Sequence, residues 1–429
     1  MPVRKKGSAM SSHSLRFHIE DEVEPLQSVI VHRPGNEMRE FAAVNFDQIF
    51  YLRAAQGKQQ LDFEKALEEH DGFTALLRHE GIEVLEVEDL LAEALETDEM
   101  LRASFVDSFI AQTGTKGDEL QAAIRSVLES RSTTSGLARI AIEGIRCRDA
   151  GIPNYHLEPL AHLRREEYDG DSLLAGPMNM LFFTRDPAVV VEDGVVLCNM
   201  YWSDRAREAL IYRTIFGHHP LFSSSTVWHR ETSSFHIEGG NIMNLSAGSV
   251  AIGISQRAEA AAVDHLARLL FAESPIREIV AIALPDCEGR RLHLDAFLSK
   301  VDHGLLLADP LLLEQPEVYR ITPGKQESIC IERQDNLAKA IEHALGIPVS
   351  FVPCGGSARG QAAEQEAANG ASSVLTLAPG KVCACQGNPR TAEALYRAGV
   401  DILIAPVDEL VSGFGGPSSL CMPLRRGTA

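Results

Sequence analysis

Val374-Leu-Thr-Leu-Ala-Pro-Gly-Lys-Val-Cys-Ala-Cys385 and, a little further on, Leu395-Tyr-Arg-Ala-Gly-Val-Asp-Ile-Leu-Ile-Ala405 form the stretch that decides the fold. In its first half, two runs of β-forming residues flank an Ala-Pro-Gly turn, which predicts a β-hairpin. In its second half, a helix ends beside Gly399 and an apolar run follows, which is the signal of a helix leading into a strand. The stretch therefore predicts one strand–strand–helix–strand unit of an α/β fold.

The same pattern recurs along the chain. Residues 189–197 and 242–253 also indicate hairpins, and residues 76–87 and 344–352 indicate helix-to-strand transitions through a glycine. After the second hairpin, an apolar stripe at i, i+3 and i+7 predicts a helix packed on a core; it consists of Val263, Leu266 and Leu270. Units of roughly 40–60 residues that repeat in this way can close into a ring around a central site.

One region departs from this pattern. Between residues 90 and 163 strand signals are few, and residues 118–130 carry the apolar stripe of an amphipathic helix, formed by Leu120, Ile124, Val127 and Leu128. Residues 138–145 suggest a second helix. We therefore expect an all-helical insertion at 90–163, with a packing or covering role, between the two parts of a catalytic domain at 16–89 and 164–429.

Composition narrows the range of functions. The 429 residues include 40 Lys and Arg against 60 Asp and Glu, and the net charge of −20 disfavours nucleic acids and anionic membranes as partners. No apolar run is long enough to span a bilayer. The eight cysteines lack a CxxC pattern, which is typical of a reducing cytoplasm. Residues 1–15 are basic without an apolar segment, which indicates a disordered tail or an expression remnant.

Four short segments carry residue types that could do chemistry: Phe182-Phe-Thr-Arg-Asp-Pro187, His236-Ile-Glu-Gly-Gly-Asn241, Leu292-His-Leu-Asp295 and Ser412-Gly-Phe-Gly-Gly-Pro-Ser-Ser-Leu-Cys-Met-Pro-Leu424. Glu238 precedes two glycines, where the backbone can crowd a ligand or another side chain. His293 and Asp295 point to the same side of an extended chain and could act as a base with its carboxylate. Each segment alone also fits an ordinary turn or strand end, so only their combination is informative.

Together the four segments resemble the arginine deiminase family of guanidine-modifying enzymes, the penteins, over residues 23–426. Residues 199–205, 253–257 and 355–370 add to the resemblance. The resemblance implies a five-fold pseudosymmetric α/β propeller of strand–strand–helix–strand repeats with an all-helical insertion. It also implies a cytoplasmic C–N hydrolase, possible as a homo-oligomer, that converts a small guanidino compound such as arginine to citrulline or another ureido product without a metal or a cofactor.

The resemblance also assigns roles to residues. Asp186 and Asp295 would grip the substrate guanidinium, since planar guanidinium and carboxylate match in a two-pronged geometry. His293 would donate and accept protons, supported by Glu238. The nucleophile that forms the family's covalent thiouronium-type intermediate would stand at Ser419. The remaining substrate contacts would come from Arg205 and Arg257, which bind the substrate carboxylate, and from Phe183, Met180 and Phe414.

Position 419 holds a serine where the family has its nucleophilic cysteine. A thiolate forms readily beside a cation, whereas a serine hydroxyl stays protonated at neutral pH, so turnover should be very poor. Three interpretations follow: a serine introduced to trap a substrate, a catalytically silent guanidine-binding relative, or Cys421 as the nucleophile. Cys421 is displaced by roughly 6–7 Å in an extended chain, and its more ordinary role is that of a small buried side chain.

Three further positions depart from the family pattern. Met180 stands where the family has an asparagine, Phe414 where it has an arginine, and Asn241 where it has an aspartate. The first two replace polar contacts with apolar bulk beside the amino-acid end of arginine, which favours a modified or larger guanidino substrate. An amidinotransferase or a dihydrolase would use the same covalent intermediate, so the sequence leaves the acceptor, water or an amine, open.

Overall fold

The computed structural model of the chain describes residues 17–39, 62–152, 154–156, 160, 167–223, 225–229, 234–287, 292–314, 316–356, 360–413 and 415–427. The tail expected at 1–15 and the side chain of Phe414 lie outside these residues. Within them the chain forms an α/β fold with 21 strands and 12 α-helices.

The strands are numbered in chain order: β1 Leu26–Val31, β2 Glu83–Glu86, β3 Ile145–Arg146, β4 Asn154–His156, β5 Glu167–Asp169, β6 Leu173–Ala175, β7 Ala188–Val191, β8 Gly194–Leu197, β9 Thr226–His229, β10 Ile242–Ser246, β11 Ser249–Ile254, β12 Glu278–Ala283, β13 Leu298–Asp302, β14 Leu305–Ala308, β15 Glu317–Pro323, β16 Ile329–Gln334, β17 Ser350–Pro353, β18 Leu375–Ala378, β19 Lys381–Cys385, β20 Asp401–Ala405 and β21 Met422–Arg426.

The α-helices are numbered in the same way: α1 Asn36–Arg39, α2 Phe63–His79, α3 Val87–Glu96, α4 Glu99–Ala111, α5 Asp118–Glu129, α6 Thr134–Glu143, α7 Ala206–His218, α8 Ala260–Glu273, α9 Pro310–Glu314, α10 Leu337–Leu345, α11 Gln361–Ala368 and α12 Pro389–Arg397.

Five sheets repeat one motif. In each, two strands pair antiparallel, and a third strand, reached from the second through a connection that contains a helix, lies parallel to the second. The connection from β14 to β17 also contains β15 and β16, and β21 comes from the other end of the chain than β1 and β2. The motifs are β7-β8-β9, β10-β11-β12, β13-β14-β17, β18-β19-β20 and β21-β1-β2. The antiparallel strands β15 and β16 extend the second of these sheets to five strands. The strand–strand–helix–strand unit predicted from the sequence is thus confirmed as the building block of the fold.

The stretch at 374–405 forms one such unit. β18 and β19 pair with Leu375 opposite Cys383, and β20 runs parallel to β19. The helix between them begins at Pro389, a position that suits proline because the first N–H groups of a helix have no partner within it. The chain leaves the helix through Gly399, whose φ of 87° is a left-handed conformation that glycine adopts without steric strain.

The two ends of the chain share a sheet. β21, near the C-terminus, pairs antiparallel with β1, with Pro423 opposite Val29. After α2, strand β2 lies parallel to β1 and completes the unit. The tail segment that carries Ser419 is therefore anchored to the first strand of the chain.

Hydrogen bonds from side chain to main chain join the first strands of successive units. Asn244 of β10 donates to a carbonyl of β7 over 3.0 Å, and Lys300 of β13 donates to a carbonyl of β10 over 2.7 Å. Thr376 of β18 donates to a carbonyl of β13 over 2.7 Å, and Arg426 of β21 donates to a carbonyl of β18 over 2.8 Å. β21 in turn contacts β7. The five first strands are thus linked from one unit to the next.

The helices pack through the stripes that the sequence predicts. Val263, Leu266 and Leu270 of α8 are buried, and so are the four residues predicted for α5, which are Leu120, Ile124, Val127 and Leu128. Burying such a stripe removes apolar surface from water, which is the main source of stability for an amphipathic helix.

The region at 90–163 is not helical throughout, so that expectation is corrected. Helices α3 to α6 account for residues 87–143, but two short strands, β3 and β4, follow within the region. Helix α6 ends because Gly144 has a φ of 88° and lies so close to residues 175–177 that a Cβ would meet their backbone at 2.8 Å. The partners of β3 and β4 are β6 and β5, which lie beyond residue 163, so the pairing is not visible within the segment.

Two further expectations concern the whole chain. Among the described helices, none combines the length and the apolar character that crossing a membrane requires. All eight cysteines lie in described residues and are free thiols, and six of them are buried.

Candidate active site

Each segment singled out in the sequence lies just before the first strand of a unit. Asp186 lies two residues before β7, Glu238 four before β10, Asp295 three before β13, and Ser419 three before β21. Because the first strands are joined to one another, these segments converge although they are far apart along the chain. The repeat thus brings four separate motifs to one end of the fold.

Ser419 is held by Asp295. The Ser419 hydroxyl donates a hydrogen bond to Asp295 Oδ2 over 2.8 Å, and its main-chain N–H donates to Gly416 O over 2.9 Å. Ser419 is 6% exposed and Asp295 8% exposed. The Ser373 hydroxyl lies 3.3 Å from Ser419 Oγ. The side chain at the expected position of attack therefore touches one of the two carboxylates expected to bind a guanidinium.

His293 lies between two carboxylates. Its Nε2 is 2.7 Å from Glu238 Oε2, and its Nδ1 is 3.6 Å from Asp186 Oδ1. Asp186 Oδ1 is buried and accepts no hydrogen bond from any described residue. Asp295 is close enough to His293 and Asp186 for their charges to act on its ionisation. The five side chains expected to form the site thus share one cluster.

The cluster changes the ionisation of its members. Burial raises the pKa of Asp295, and the charge of Asp186 adds to this effect. Burial alone would lower the pKa of His293, but the charge of Asp186 and the hydrogen bond to Glu238 raise it above 6.5. Burial also opposes ionisation of Glu238, yet the hydrogen bond and charge of His293 lower its pKa to about 2. The pair therefore favours an imidazolium bound to an ionised glutamate, which is a ready proton donor.

Arg205, expected to contact a substrate carboxylate, pairs with carboxylates of the protein. Its Nη1 donates to Asp186 Oδ2 over 2.8 Å, and its Nε and Nη2 donate to Glu208 over 3.1 and 2.8 Å. Burial disfavours the guanidinium charge, but the charges of Glu208 and Asp186 outweigh it and raise the pKa of Arg205. A guanidinium has five N–H groups, so two of them remain for other partners.

Arg257 lies at the other end of the cluster. Its Nη1 is 3.4 Å from Glu238 Oε1, and its guanidinium lies over the rings of Tyr201 and Trp202, 5.1 and 5.2 Å from their centroids. Its Nε is buried and has no hydrogen-bond partner among the described residues. Such a donor is costly to leave unpaired, which makes Arg257 a candidate for binding an anionic group.

The two glycines that follow Glu238 are required by close packing. A Cβ at Gly239 would lie 2.2 Å from a main-chain oxygen of the segment before β7. A Cβ at Gly240 would lie 3.0 Å from both Asp186 Oδ1 and the ring of His293. Residues without a Cβ at these positions therefore allow the imidazole and the carboxylate to approach each other.

The three apolar residues expected near the amino-acid end of a substrate differ in what the structure shows of them. Phe183 is buried against Phe182, with 4.2 Å between ring centroids, and it fills the space where Gly415 would carry a Cβ. It therefore packs on the tail loop that carries Ser419. Met180 is half-buried and packs against the same hydrophobic core. Phe414 lies outside the described residues.

Cys421 does not share the position of Ser419. It is fully buried in the hydrophobic core, and its Sγ lies 3.7 Å from Pro417 O. Burial raises the pKa of its thiol to about 11, so the thiolate is scarce at neutral pH. The geometry therefore favours position 419 over Cys421 as the position of attack.

A metal ion could be held by the same cluster. Ligand atoms of Asp186, Glu238 and His293 lie within 4.8 Å of one another, and this is the one group of its kind among the described residues. Both nitrogens of His293, however, already face carboxylates. The arrangement is therefore explained by ion pairing without a metal.

Three functional contacts were not predicted. Ser373 touches Ser419, Glu208 binds Arg205, and Asn241 Oδ1 accepts the main-chain N–H of the residue between His293 and Asp295. The signal for Glu208 was its position three residues after Arg205, a spacing that pairs side chains on a helix. Ser373 could have been found from its place just before β18, the first strand of the fourth unit.

Comparisons with known proteins show which family the chain belongs to. A family model described as arginine deiminase matches residues 58–426. The chain is 32% identical over 422 residues to an arginine deiminase of Clostridium perfringens (strain SM101 / Type A), covering 96% of this chain and 98% of the relative. It is 31% identical over 420 residues to an arginine deiminase of Oenococcus oeni (strain ATCC BAA-331 / PSU-1), covering 96% and 97%.

Solved structures share the fold at much lower identity. SxtG, an amidinotransferase from Microseira wollei, matches with a TM-score of 0.50 and 12% identity, covering 96% of this chain and 98% of that one. DDAH from Pseudomonas aeruginosa, solved as a cysteine-to-serine mutant complexed with citrulline, matches with a TM-score of 0.50 and 14% identity, covering 93% and 99%. The fold is therefore the α/β fold of these proteins, and the family match over most of the chain shows that it belongs to the arginine deiminase family of hydrolases.

Proposed function

We propose that this chain binds the guanidinium group of arginine or of an arginine-like compound, and that with cysteine at position 419 it hydrolyses this group to a ureido product and ammonia. One observation carries the proposal: the Ser419 hydroxyl is bonded to Asp295 in the cluster where the imidazole of His293 faces Asp186 and Glu238. For arginine the ureido product is citrulline.

The carboxylates supply the binding site for the cation. Asp186 Oδ1 is buried and accepts no hydrogen bond from the part of the chain that the structure describes, which is costly until a donor arrives. A guanidinium N–H group is such a donor, and its positive charge also compensates Asp295. Six charged groups, five of them buried and His293 partly exposed, already alternate in sign, in the order Glu208, Arg205, Asp186, His293, Glu238 and Arg257. Asp295 stands outside this series, and a bound guanidinium would neutralise it.

The remaining groups account for the chemistry. A thiolate at position 419 adds to the guanidinium carbon, and the carbon–nitrogen bond breaks as the amino group takes a proton from His293 and leaves as ammonia. The neutral imidazole then takes a proton from water, whose oxygen adds to the same carbon. The carbon–sulfur bond breaks last, while the added hydroxyl loses its remaining proton to solvent; this releases the neutral ureido product and restores the thiolate. Glu238 holds the imidazole in place and stabilises its protonated form.

The other end of the substrate would meet Arg257 and Arg205. Within the described ranges Arg257 Nε has no hydrogen-bond partner and Arg205 has two spare N–H groups, so both side chains suit a carboxylate. Met180 and Phe414 stand where the family has polar residues, and by that resemblance we expect them, together with Phe183, to bring apolar bulk to this end. We therefore propose a guanidino acid that is larger or more apolar than free arginine as the preferred substrate.

We also propose that the five units close into a five-fold pseudosymmetric propeller. Support comes from the hydrogen bonds that join β7, β10, β13, β18 and β21 in sequence, and from the contact of β21 with β7. A ring of this kind gives each unit an equivalent place at one central site. We further propose that the protein is cytoplasmic, because its eight cysteines are all free, and that it can act as a homo-oligomer.

Ser419 favours a second candidate function, a guanidine-binding protein without turnover. A hydroxyl bonded to Asp295 remains protonated at neutral pH, so the present chain should bind its ligand and hold it uncleaved. In this view the serine is the natural residue. If the protein is instead a hydrolase, the serine replaces the nucleophilic cysteine and traps the substrate.

The substitution Ser419→Cys tests the proposal. Ammonia and ureido product are measured with arginine and with larger guanidino acids, in the absence of any added amine. Release of both products by the cysteine variant, with little or none from the serine chain, supports the hydrolase. Binding without release in both chains supports the binding protein. Activity that needs an added amine indicates an amidinotransferase. If the chain neither binds a guanidino compound nor releases a product, the assignment of the site is wrong.

A further inference from the structure

Four of the five units bring a recognised motif to the site, and the fifth brings Ser373. This residue lies two positions before β18, just as Asp186 lies two positions before β7. It was not part of any motif in the sequence. Because this place in the repeat is equivalent to that of Asp186, the Ser373 side chain is a candidate member of the site.

The Ser373 hydroxyl contacts the atom expected to attack. Ser373 is fully buried, and its Oγ lies 3.3 Å from Ser419 Oγ. The Ser419 hydroxyl has a single proton and donates it to Asp295. The hydrogen bond between the two serines must therefore run from Ser373 to Ser419.

The backbone fixes this contact. A Cβ at Gly416 would lie 2.2 Å from Ser373 O and 2.8 Å from Ser373 Oγ, and a Cβ at Gly370 would lie 2.0 Å from Gly415 O. The turn that ends at Ser373 is thus packed directly on the loop that ends at Ser419. The donor cannot drift away from position 419 without moving one of the two loops.

We propose that Ser373 is a positioning residue, whose hydroxyl donates a hydrogen bond to the nucleophile at position 419 and stabilises its anionic form. The inference rests on the proposed function in one respect, namely that position 419 carries the attacking atom. A donor that faces a thiolate lowers the pKa of the thiol, because the hydrogen bond is stronger to the charged form. Asp295 acts in the opposite direction, since its negative charge disfavours a second anion nearby.

The test measures the pKa of a cysteine at position 419. Ser419→Cys is compared with the double variants Ser419→Cys/Ser373→Ala and Ser419→Cys/Ser372→Ala. The rate of alkylation by iodoacetamide is followed from pH 5 to 10, and the alkylated residue is identified by mass spectrometry. The chain with Ser419 gives the background from the eight other cysteines. Ser372 is a matched control because it is the neighbouring buried serine of the same turn.

Loss of the Ser373 hydroxyl should raise the thiol pKa by about one unit, so alkylation at neutral pH should slow by about tenfold. Ser372→Ala should leave the pKa unchanged. Ser419→Cys/Asp295→Asn should lower it, a change of opposite sign that a general disturbance of the site does not produce. An unchanged pKa in the Ser373→Ala variant, or an equal rise in the Ser372→Ala variant, overturns the inference.

The outcome is separate from that of the proposed function. If Ser419→Cys releases no ammonia but its thiol pKa responds to Ser373→Ala, the inference stands and the hydrolase proposal fails. If ammonia is released but the thiol pKa does not respond to Ser373→Ala, the hydrolase proposal stands and the inference about Ser373 fails. Should Ser373→Ala prevent folding, Ser373→Gly removes the same hydroxyl with still less volume, and thermal unfolding of each variant shows which of them is folded.

Discussion

Arg205 Nη1 lies 2.8 Å from Asp186 Oδ2, so a guanidinium of the protein itself already occupies one face of a carboxylate expected to bind the substrate. Two further N–H groups of Arg205, on Nε and Nη2, donate to Glu208. All three side chains are buried. Glu208 therefore limits how strongly Arg205 can compete with a substrate for Asp186.

The first prediction concerns this pairing. Glu208→Gln should lower the free energy of unfolding by roughly 3 kcal/mol, because it removes one partner of a buried ion pair. It should also weaken guanidine binding, since Arg205 then turns more fully to Asp186. Urea unfolding and calorimetry measure the two effects. Glu393→Gln is the matched control, because the pair of Glu393 with Arg397 is exposed and should contribute less than about 1 kcal/mol. Equal losses in both variants contradict the prediction.

The second prediction concerns the two carboxylates. Asp186→Asn and Asp295→Asn should each reduce guanidine affinity by at least about a hundredfold, the scale of a charge-assisted hydrogen bond lost from a buried site. Isothermal calorimetry with arginine and with larger guanidino acids checks this. Asp309→Asn provides the control, since Asp309 is also buried but accepts a hydrogen bond from the main-chain N–H of Leu311. Unchanged affinity in either site variant would remove that residue from the binding site.

The third prediction concerns pH. In Ser419→Cys, binding needs ionised Asp295, whose pKa is raised above 3.8, so activity should fall as the pH drops through that raised pKa. Departure of ammonia needs protonated His293, whose pKa is raised above 6.5, so activity should also fall as the pH rises through it. The profile of kcat/KM against pH should therefore be bell-shaped. A profile that stays flat between pH 5 and 9 contradicts the assignment of these two groups.

The fourth prediction isolates the basic limb of that profile. Glu238→Gln removes the charge that, with Asp186, keeps His293 protonated. The pKa of His293 should fall, and the basic limb of Ser419→Cys should move to lower pH by about one unit or more. The acidic limb should move much less. Proton NMR of the imidazole gives the same pKa independently of turnover, and a basic limb that does not move assigns it to another group.

Local patterns in the sequence predict the units of this fold but not their long-range partners. Pro389 and Gly399 mark the ends of a helix through their own backbone restrictions, so their effect is visible within a few residues. The hairpin of β15 and β16 joins the β10 sheet although it lies between two strands of the next sheet in the chain. No local signal states which sheet edge will accept it, because that depends on the packing of distant strands.

The same distinction between local patterns and long-range contacts applies to the candidate site. The four motifs were visible because their residue types are unusual in combination, whereas Ser373 and Glu208 are ordinary residues in ordinary surroundings. The pairing of Arg205 with Asp186 depends on how the segment before β7 meets helix α7, which is a property of the folded chain. It is therefore easier to predict from the sequence which side chains could react than to predict which side chains hold them in place.

The last prediction tests how tightly the tail loop must fit. A methyl group at Gly416 would lie 2.2 Å from Ser373 O, so Gly416→Ala should push the loop away from the turn at Ser373. Ser419 should then lose its hydrogen bonds to Asp295 and Ser373, and guanidine affinity should fall by about tenfold or more. Overpacking of this kind should also cost about 1–3 kcal/mol of stability.

Gly217→Ala is the control for this change. Gly217 lies in α7, and apart from its chain neighbours and the backbone of its own helix no atom of the described residues lies within 4 Å of the point that an alanine methyl group would occupy. Alanine is a better helix former than glycine by roughly 1 kcal/mol, and this variant should be as stable as the parent or more so, with unchanged affinity. Calorimetry and thermal unfolding of both variants decide the matter. If Gly416→Ala keeps the parent affinity, the loop has room to relax and the close fit of the tail is not needed to hold position 419.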